Sequence, residues 1–189
     1  MSSCFDKEFR QVNWSDLPEG VDDFENCEFR SCDFSNADLS RYKFTDCSFM
    51  DCNLTMMKIR STSMQSVLFE GCKMLGIHFD ELNPFGIVIG FEKCILNHST
   101  FYKLNLKKSP FTNCELNECD FSECDLSGAN FTGSDLRDAK FDRTNLESAD
   151  FSTAINFVIS PAKNRLKGAK FSKEGLAGLL VEYGIKIVE

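Results

Sequence analysis

Ten cysteines, two histidines and 29 acidic residues are the side chains of this 189-residue chain that could carry chemistry. Thiols with histidine could bind zinc, and paired carboxylates could serve acid–base catalysis. Nine of the cysteines, however, share one position, two residues before a large apolar residue. These nine are Cys27, Cys32, Cys47, Cys52, Cys72, Cys94, Cys114, Cys119 and Cys124. Alanine, serine and threonine take the same position elsewhere, so the cysteines are interpreted as small packing residues.

The remaining polar residues give no catalytic pattern. His78 and His98 occupy outward or corner positions, and neither joins the cysteines in the spacing of a zinc finger. The sequence contains no nucleophile–base–acid set, phosphate-binding loop or dinucleotide motif. The carboxylates are spread over an exterior that would not shift their pKa for catalysis. We therefore expect no metal, no cofactor and no catalytic site.

A five-residue repeat must position these side chains. A large apolar residue recurs at every fifth position from Phe24 to Phe79, and again from Phe91 to Phe151. A period of five fits neither a helix nor a plain strand. In a short strand, residues two apart face the same side, so the small and the large residue of each repeat can both point inward. The residue between them points outward, and the last two turn a corner.

The second register alternates phenylalanine and leucine, which indicates the number of sides. With an even number of sides, phenylalanine stacks on phenylalanine and leucine on leucine. Four sides would place in one column Phe91, Phe111, Phe131 and Phe151. Phe101, Phe121 and Phe141 would form another. Coils about 4.8 Å apart would bring successive rings into contact. Cys32, Cys52 and Cys72 would stack as well, and we expect free thiols because we expect a reducing, cytoplasmic location.

The repeat resembles the Ala-(Asp/Asn)-Leu-x-x pattern of the pentapeptide-repeat family, over about residues 9–171. The matching triplets are Ala37-Asp38-Leu39, Ala129-Asn130-Phe131, Ala139-Lys140-Phe141 and Ala149-Asp150-Phe151. The resemblance implies an all-β solenoid, a right-handed quadrilateral β-helix about as wide as DNA. It also implies a homodimer formed through the C-terminal ends. The chain resembles the quinolone-resistance and microcin-immunity branch of the family, whose members act on type II topoisomerases.

Two regions break the repeat, and a different segment ends the chain. The repeat domain is expected over residues 1–171, with a register break near 80–90 and an irregular segment at 156–165. The break is either a binding feature or a packing irregularity. Residues 172–189 are expected to form a short helix, which begins after Ser172 and ends at Gly184, and a strand. This segment could cap the solenoid or form the dimer through Leu176, Leu179, Leu180, Tyr183, Ile185 and Ile187.

The charge distribution excludes some partners. The net charge of −8 argues against direct nucleic-acid binding, which needs a basic surface. No apolar run is long enough to cross a membrane, and the first residues lack a secretory pattern, so a cytoplasmic location is expected. Residues 1–55 carry twelve acidic and five basic residues, and residues 114–151 carry ten and three. Acid is thus concentrated in two stretches of regular repeat.

Three hypotheses of function follow. The first is a non-enzymatic DNA mimic that binds DNA gyrase or topoisomerase IV and modulates it or protects it from inhibitors. Its acidic surface would include Asp33, Asp38, Glu115, Asp120, Asp125, Asp135 and Asp150. The second is a structural or scaffolding protein with another protein partner, in which the acidic surface only keeps the protein in solution. The third, an enzyme, would need a concave pocket that a packed solenoid lacks.

Overall fold

The computed structural model describes residues 2–186 as a stack of short parallel strands joined by tight corners. The strands are β1 (Ser2–Phe5), β2 (Glu8–Arg10), β3 (Val21–Glu25), β4 (Glu28–Arg30), β5 (Lys43–Thr45), β6 (Ser48–Met50), β7 (Ser63–Gln65), β8 (Val67–Glu70), β9 (Ile89–Glu92), β10 (Phe111–Thr112), β11 (Asp150–Phe151) and β12 (Lys170–Phe171). Four 3-10 helices cover Trp14–Asp16, Phe79–Glu81, Glu174–Leu179 and Val181–Tyr183.

Most strands pair in parallel with a strand one coil later. Phe24 pairs with Phe44 and Phe29 with Phe49, an offset of 20 residues. Isolated bridges such as Glu115 to Asp135 continue the same offset where the strands are too short to be named. Twenty residues are four repeats, so each coil has four sides, and the chain makes about eight turns. The predicted four-sided β-solenoid is confirmed.

We number the four faces by their columns of inward residues. Face 1 carries Phe9, Phe29, Phe49, Phe69, Phe91, Phe111, Phe131, Phe151 and Phe171. Face 2 carries Trp14, Phe34, Leu54, Met74, Leu96, Leu116 and Leu136. Face 3 carries Leu39, Ile59, Phe79, Phe101, Phe121 and Phe141. Face 4 carries Phe24, Phe44 and Met64 and, beyond the break, Leu106, Leu126, Leu146 and Leu166.

The core is built from stacked phenylalanine rings. Phe111 lies 5.1 Å from Phe131, and Phe131 lies 4.7 Å from Phe151, between ring centroids, with nearly parallel planes. On face 3, Phe101 and Phe121 stack at 4.9 Å. Rings of the two columns meet edge to face, an arrangement that adds to the free energy of apolar burial. Both predicted columns are confirmed.

The small residue of each repeat has a second role besides packing. Cys52 Sγ donates to the carbonyl oxygen of Phe29 at 3.3 Å, and Ser134 Oγ donates to that of Phe111 at 2.6 Å. Thr144 Oγ1 makes the same bond to Phe121 at 2.9 Å. The thiol or hydroxyl thus supplies a hydrogen bond to the preceding coil, which explains why cysteine, serine and threonine share this position with alanine.

The second corner residue of most repeats has a left-handed backbone. Lys108, Glu118 and Asp138 have φ of 59°, 58° and 58°. This conformation costs a residue other than glycine about 1–2 kcal/mol, and the coil-to-coil hydrogen bonds must offset it. Gly133 shows why glycine is favoured at one corner, since a Cβ there would lie 2.2 Å from Asn113 Oδ1.

The register break inserts two residues into one coil. Val67 pairs with Ile89 and Phe69 with Phe91, an offset of 22. On face 4 the strand ladder stops at β7 and resumes only with the bridge from Asn105 to Asp125. Residues 83–88 leave the ladder there and form a bulge.

The C-terminal segment differs from the predicted helix and strand. Two consecutive 3-10 helices replace one helix, and Ile185 and Lys186 are not in a strand. Ile187 lies outside the described residues. The segment packs against Phe157, which fixes its conformation. Gly178 lies close to Phe157, and the carbonyl oxygen of Gly178 accepts from Ile159 N–H at 3.1 Å. The N-cap is Lys173 and not the predicted Ser172, although Ser172 Oγ accepts from Gly175 N–H at 2.9 Å. The predicted end holds, since Gly184 is the C-cap with φ of 61°.

Candidate functional site

The predicted acidic residues lie at the outward position of their repeats, but they do not share one face. Asp33, Glu115 and Asp135 belong to the outward ladder of face 2. The other four are distributed over the remaining faces. Asp38 and Asp120 lie on face 3, Asp125 on face 4 and Asp150 on face 1. The structure therefore places three of the seven on one face but brings together only Glu115 and Asp135, because three coils separate Asp33 from Glu115.

The outward aspartates also have a structural role that sequence reasoning missed. Asp120 Oδ1 accepts from the backbone N–H of Ser122 at 2.8 Å, and Asp135 Oδ1 accepts from that of Arg137 at 3.1 Å. Asn130 does the same with Thr132 at 3.0 Å. Such side chains stabilise the turn two residues on. Aspartate and asparagine can each accept this hydrogen bond at the corner, and aspartate adds a negative charge.

These hydrogen bonds shift the acidity of the aspartates. Hydrogen bonds from Ser35 lower the pKa of Asp33, and hydrogen bonds from Ser152 lower the pKa of Asp150. Partial burial acts to raise the pKa of Asp125, but hydrogen bonds from Ser127 and Lys107 outweigh it and the net shift is downward. The ionised form of each carboxylate is thus favoured by the folded corner.

The fold should consequently lose stability in acid. A carboxylate whose folded pKa is depressed stabilises the protein above its unfolded pKa, about 4, and that contribution falls as the pH drops through the folded pKa. We expect the melting temperature to fall below pH 4. In an Asp33→Asn/Asp150→Asn variant the fall should be smaller, because the amide oxygen still accepts the bond but does not titrate. Melting curves by circular dichroism between pH 7 and pH 2.5 measure both slopes, and equal slopes would contradict the assignment.

One side of the solenoid is distinctly acidic. Face 2 and the corner that follows it carry six carboxylates, Asp16, Asp33, Glu115, Glu118, Asp135 and Asp138, against two basic residues, Lys73 and Arg137. Face 3 and its corner carry six of each sign: Asp38, Asp80, Glu81, Asp120, Glu123 and Asp142 against Arg41, Lys58, Arg60, Lys103, Lys140 and Arg143. Charge is thus segregated around the rod.

The densest part of this side lies on two adjacent coils. We call the four carboxylates of Glu115, Glu118, Asp135 and Asp138 the acidic strip. Glu118 and Asp138 are corner residues with a left-handed backbone, and the outward pattern of the sequence does not include them although they too are 20 residues apart. Because Glu115 and Asp135 are bridged, the strip repeats at the coil spacing of about 4.8 Å.

Few cations neutralise the strip. Within residues 2–186, Asp138 makes no ion pair, and Glu115 accepts only from the amide of Asn97, at 3.3 Å. Arg137 lies 3.6 Å from Asp135, and the imidazole of His98 lies 3.3 Å from Glu118. On face 3, by contrast, Glu123 is held by Lys103 and Arg143 together. The strip therefore keeps most of its charge.

The predicted dimerisation residues divide into two groups. Leu176, Tyr183 and Ile185 are about half exposed, at 46%, 56% and 57%. Leu179 packs against the core and Leu180 is partly buried. Three further exposed apolar residues lie near the same end and were missed by the sequence: Ile155, Val158 and Val181. The end of the solenoid thus presents an apolar surface.

The thiols are buried in the core. All ten cysteines are unpaired, and nine of them are buried. Burial raises the pKa of Cys47 to about 11 and that of Cys119 and Cys124 to about 12, so these thiols are poor nucleophiles. Among residues 2–186, no group of three or more metal-ligating side chains could hold a metal ion.

None of the helices in the described part of the chain could span a membrane.

A parallel β-solenoid with a packed core and a charged convex wall defines the class of this protein. The sequence model of the pentapeptide repeat region matches residues 22–84 and 88–151, and the chain belongs to the pentapeptide-repeat family.

Solved structures share this fold at low sequence identity. Two trypsin-treated variants of QnrB1, a plasmid-mediated fluoroquinolone resistance protein, are 19% identical to the chain. They have TM-scores of 0.66 and 0.65, with coverage of 98% and 97% of this chain and 97% and 99% of theirs. HetL, a pentapeptide repeat protein involved in heterocyst differentiation regulation in the cyanobacterium Nostoc, is 13% identical. Its TM-score is 0.52, over 92% of this chain and 87% of its own. No curated protein sequence matches the chain.

Proposed function

We propose that this protein is a non-enzymatic DNA mimic that binds a type II topoisomerase, DNA gyrase in the first instance, and modulates it or protects it from inhibitors. The acidic strip is the observation that supports this proposal. Its four carboxylates are fixed on the solenoid, and the basic groups paired with them are the guanidinium of Arg137 and the imidazole of His98. An enzyme that holds DNA in a basic groove would attract such a surface. The fold shared with QnrB1, itself a fluoroquinolone resistance protein, is consistent with this role.

The charge density sets the strength to be expected. Eight coils about 4.8 Å apart make a rod of roughly 38 Å. A net charge of −8 over that length is one charge per about 5 Å, against one per about 1.7 Å in duplex DNA. Averaged over the rod, the linear density of negative charge is about a third of that of duplex DNA. The charge density is higher on face 2, where the carboxylates are concentrated. Because the average density is below that of DNA, shape complementarity with the enzyme must supply the remaining affinity.

The exposed apolar end supports a homodimer as part of this proposal. Leu176, Val181, Tyr183 and Ile185 would be covered if two copies met through their C-terminal segments about a two-fold axis. Such a dimer would double the length of the charged rod.

A gyrase supercoiling assay with isosteric charge variants tests the mimicry. The test variant is Glu115→Gln/Glu118→Gln/Asp135→Asn/Asp138→Asn, which keeps the hydrogen-bond acceptors but removes four charges. We expect wild-type protein to compete with linear DNA for gyrase and to change its quinolone inhibition, and the variant to lose at least tenfold in apparent affinity. Raising the salt concentration should also weaken the binding of the wild-type protein to gyrase, because salt screens the charges.

The matched control removes four charges from face 4 and its corner with Asp6→Asn/Glu25→Gln/Asp46→Asn/Asp125→Asn. It should bind gyrase nearly as well as the wild type if the strip is the contact. Equal losses in both variants would show only a net-charge effect. No binding by the wild-type protein to gyrase or topoisomerase IV would remove the proposal.

A scaffolding role is the second candidate. It is favoured by the structural role of the outward aspartates, because a corner that needs Asp or Asn would enrich acid without any selection for mimicry. The same assay separates the two, since a scaffold would leave supercoiling unchanged.

A further inference from the structure

The bulge at residues 83–88 carries two large apolar side chains that are exposed, Phe85 and Val88. Phe85 is 79% exposed and Val88 is 59% exposed, while the neighbouring Ile89 is buried. Leu68, on the coil before, is 40% exposed. Contiguous exposed apolar residues on a folded protein mark a contact surface more often than isolated ones do.

The bulge is rigidly held. Asn83 N–H donates to the carbonyl oxygen of Thr62 at 2.9 Å, and Asn83 Oδ1 accepts from Phe85 N–H at 3.1 Å. Val88 N–H donates to Met64 at 3.2 Å, and its carbonyl accepts from Val67 at 2.9 Å. Phe85 is therefore presented outward by a fixed backbone.

A cleft of about 370 Å³ separates the bulge from the next coil. One wall is formed by Pro84 and residues 86–89 of the bulge, and the other by Asn105 and residues 107–110. Phe85 lies between two lining residues in the chain but outside the cleft. Its volume is at the lower end for small-ligand pockets, which suits a short chain segment better than a whole domain.

The second wall has an open hydrogen-bonding position. In later coils, the outward residue of face 4 donates its N–H to the coil before: Asp125 to Leu104 at 2.9 Å, and Asn145 to Cys124 at 2.9 Å. The bulge removes the corresponding acceptor, and over residues 2–186 the N–H of Asn105 has no hydrogen-bond acceptor. The cleft thus offers a free backbone donor of the kind that pairs with an added strand.

The cleft is also basic within an acidic protein. Lys107 and Lys108 line it, and no carboxylate does. Lys107 lies 3.3 Å from Asp125, whereas Lys108 makes no ion pair with any described residue. An occupant with carboxylates would be favoured here and a basic one disfavoured.

From these observations we propose that the cleft binds an extended segment of a partner protein in which carboxylate and aliphatic side chains alternate. Its aliphatic side chains pack on Val88 inside the cleft and on the exposed ring of Phe85 beside it. One of its carbonyl oxygens accepts from Asn105 N–H, and its carboxylates face Lys107 and Lys108. This surface lies on faces 4 and 1, away from the acidic strip, so it does not depend on the proposed topoisomerase contact.

Selection from a library of random 12-residue peptides displayed on phage, against the full-length protein, tests the proposal. A fluorescein-labelled synthetic peptide of the enriched consensus then gives affinities by anisotropy. We expect an acidic–aliphatic consensus, whose affinity falls at least tenfold with Phe85→Ala and with Lys107→Glu/Lys108→Glu. Phe5→Ala, another exposed phenylalanine far along the rod, is the control and should leave the affinity unchanged.

Unaltered melting temperatures would show that these surface variants fold. A basic consensus, no enrichment, or equal binding by the Phe85 variant would each overturn the proposal. So would sedimentation showing that Phe85→Ala converts a dimer to a monomer, because the occupant would then be a second copy of the chain.

Discussion

Replacing Phe121 with alanine is expected to lower the free energy of unfolding by about 3–5 kcal/mol. The ring is fully buried between Phe101 and Phe141, at centroid distances of 4.9 and 5.3 Å. It also meets Phe111 and Phe131 edge to face. The substitution leaves a cavity that stacked coils cannot close, because their spacing is fixed by hydrogen bonds above and below.

Guanidinium unfolding followed by circular dichroism measures this loss. Phe85→Ala is the matched control, since it removes the same ring from an exposed site and should change stability by no more than about 0.5 kcal/mol. In a solenoid each coil contacts only its neighbours, so the unfolding curve of the Phe121 variant should also broaden. Similar losses in the two variants would mean that the ring columns do not form the core.

Gly178→Ala is expected to detach the C-terminal segment from the end of the solenoid. A Cβ at this position would lie 2.2 Å from the carbonyl oxygen of Phe157 and 3.0 Å from its ring. The first of these is a backbone atom and cannot move cheaply, so the two 3-10 helices must shift away. Overpacking of this kind costs about 1–3 kcal/mol, which is enough to open a short terminal segment.

Hydrogen exchange of the Ile159 amide reports this detachment directly, because that amide donates to the carbonyl of Gly178. We expect its protection to fall at least tenfold, with the central coils unaffected. If the segment also forms the dimer, sedimentation should show the monomer. Ala177→Ser, at the exposed neighbouring residue, should change neither quantity. Full protection of Ile159 in the Gly178 variant would contradict the packing described.

The acidic strip shows how far an outward pattern can be interpreted from sequence. Asp33, Glu115 and Asp135 were correctly placed on the exterior, but so were aspartates of the other three faces. Glu118 and Asp138 escaped notice because they occupy corners, where turn chemistry alone explains a polar residue. The pairing of Glu115 with Asp135 on adjacent coils is what brings the four carboxylates into one strip.

The sequence by itself determined the solenoid, its four sides and its columns of phenylalanine. These follow from a local rule repeated along the chain, in which each repeat buries the same two positions. The tertiary structure decided what depends on contacts between coils. It stacks Cys72 beside Cys94 across the break, through the bridge of Lys73 to Ile95, although their spacing departs from the repeat. It also sets the exposure of Phe85, which lies in the bulge made by two inserted residues. The C-terminal helix is reshaped by the contact of Gly178 with Phe157. Both features depend on packing between distant residues, which a five-residue period does not encode.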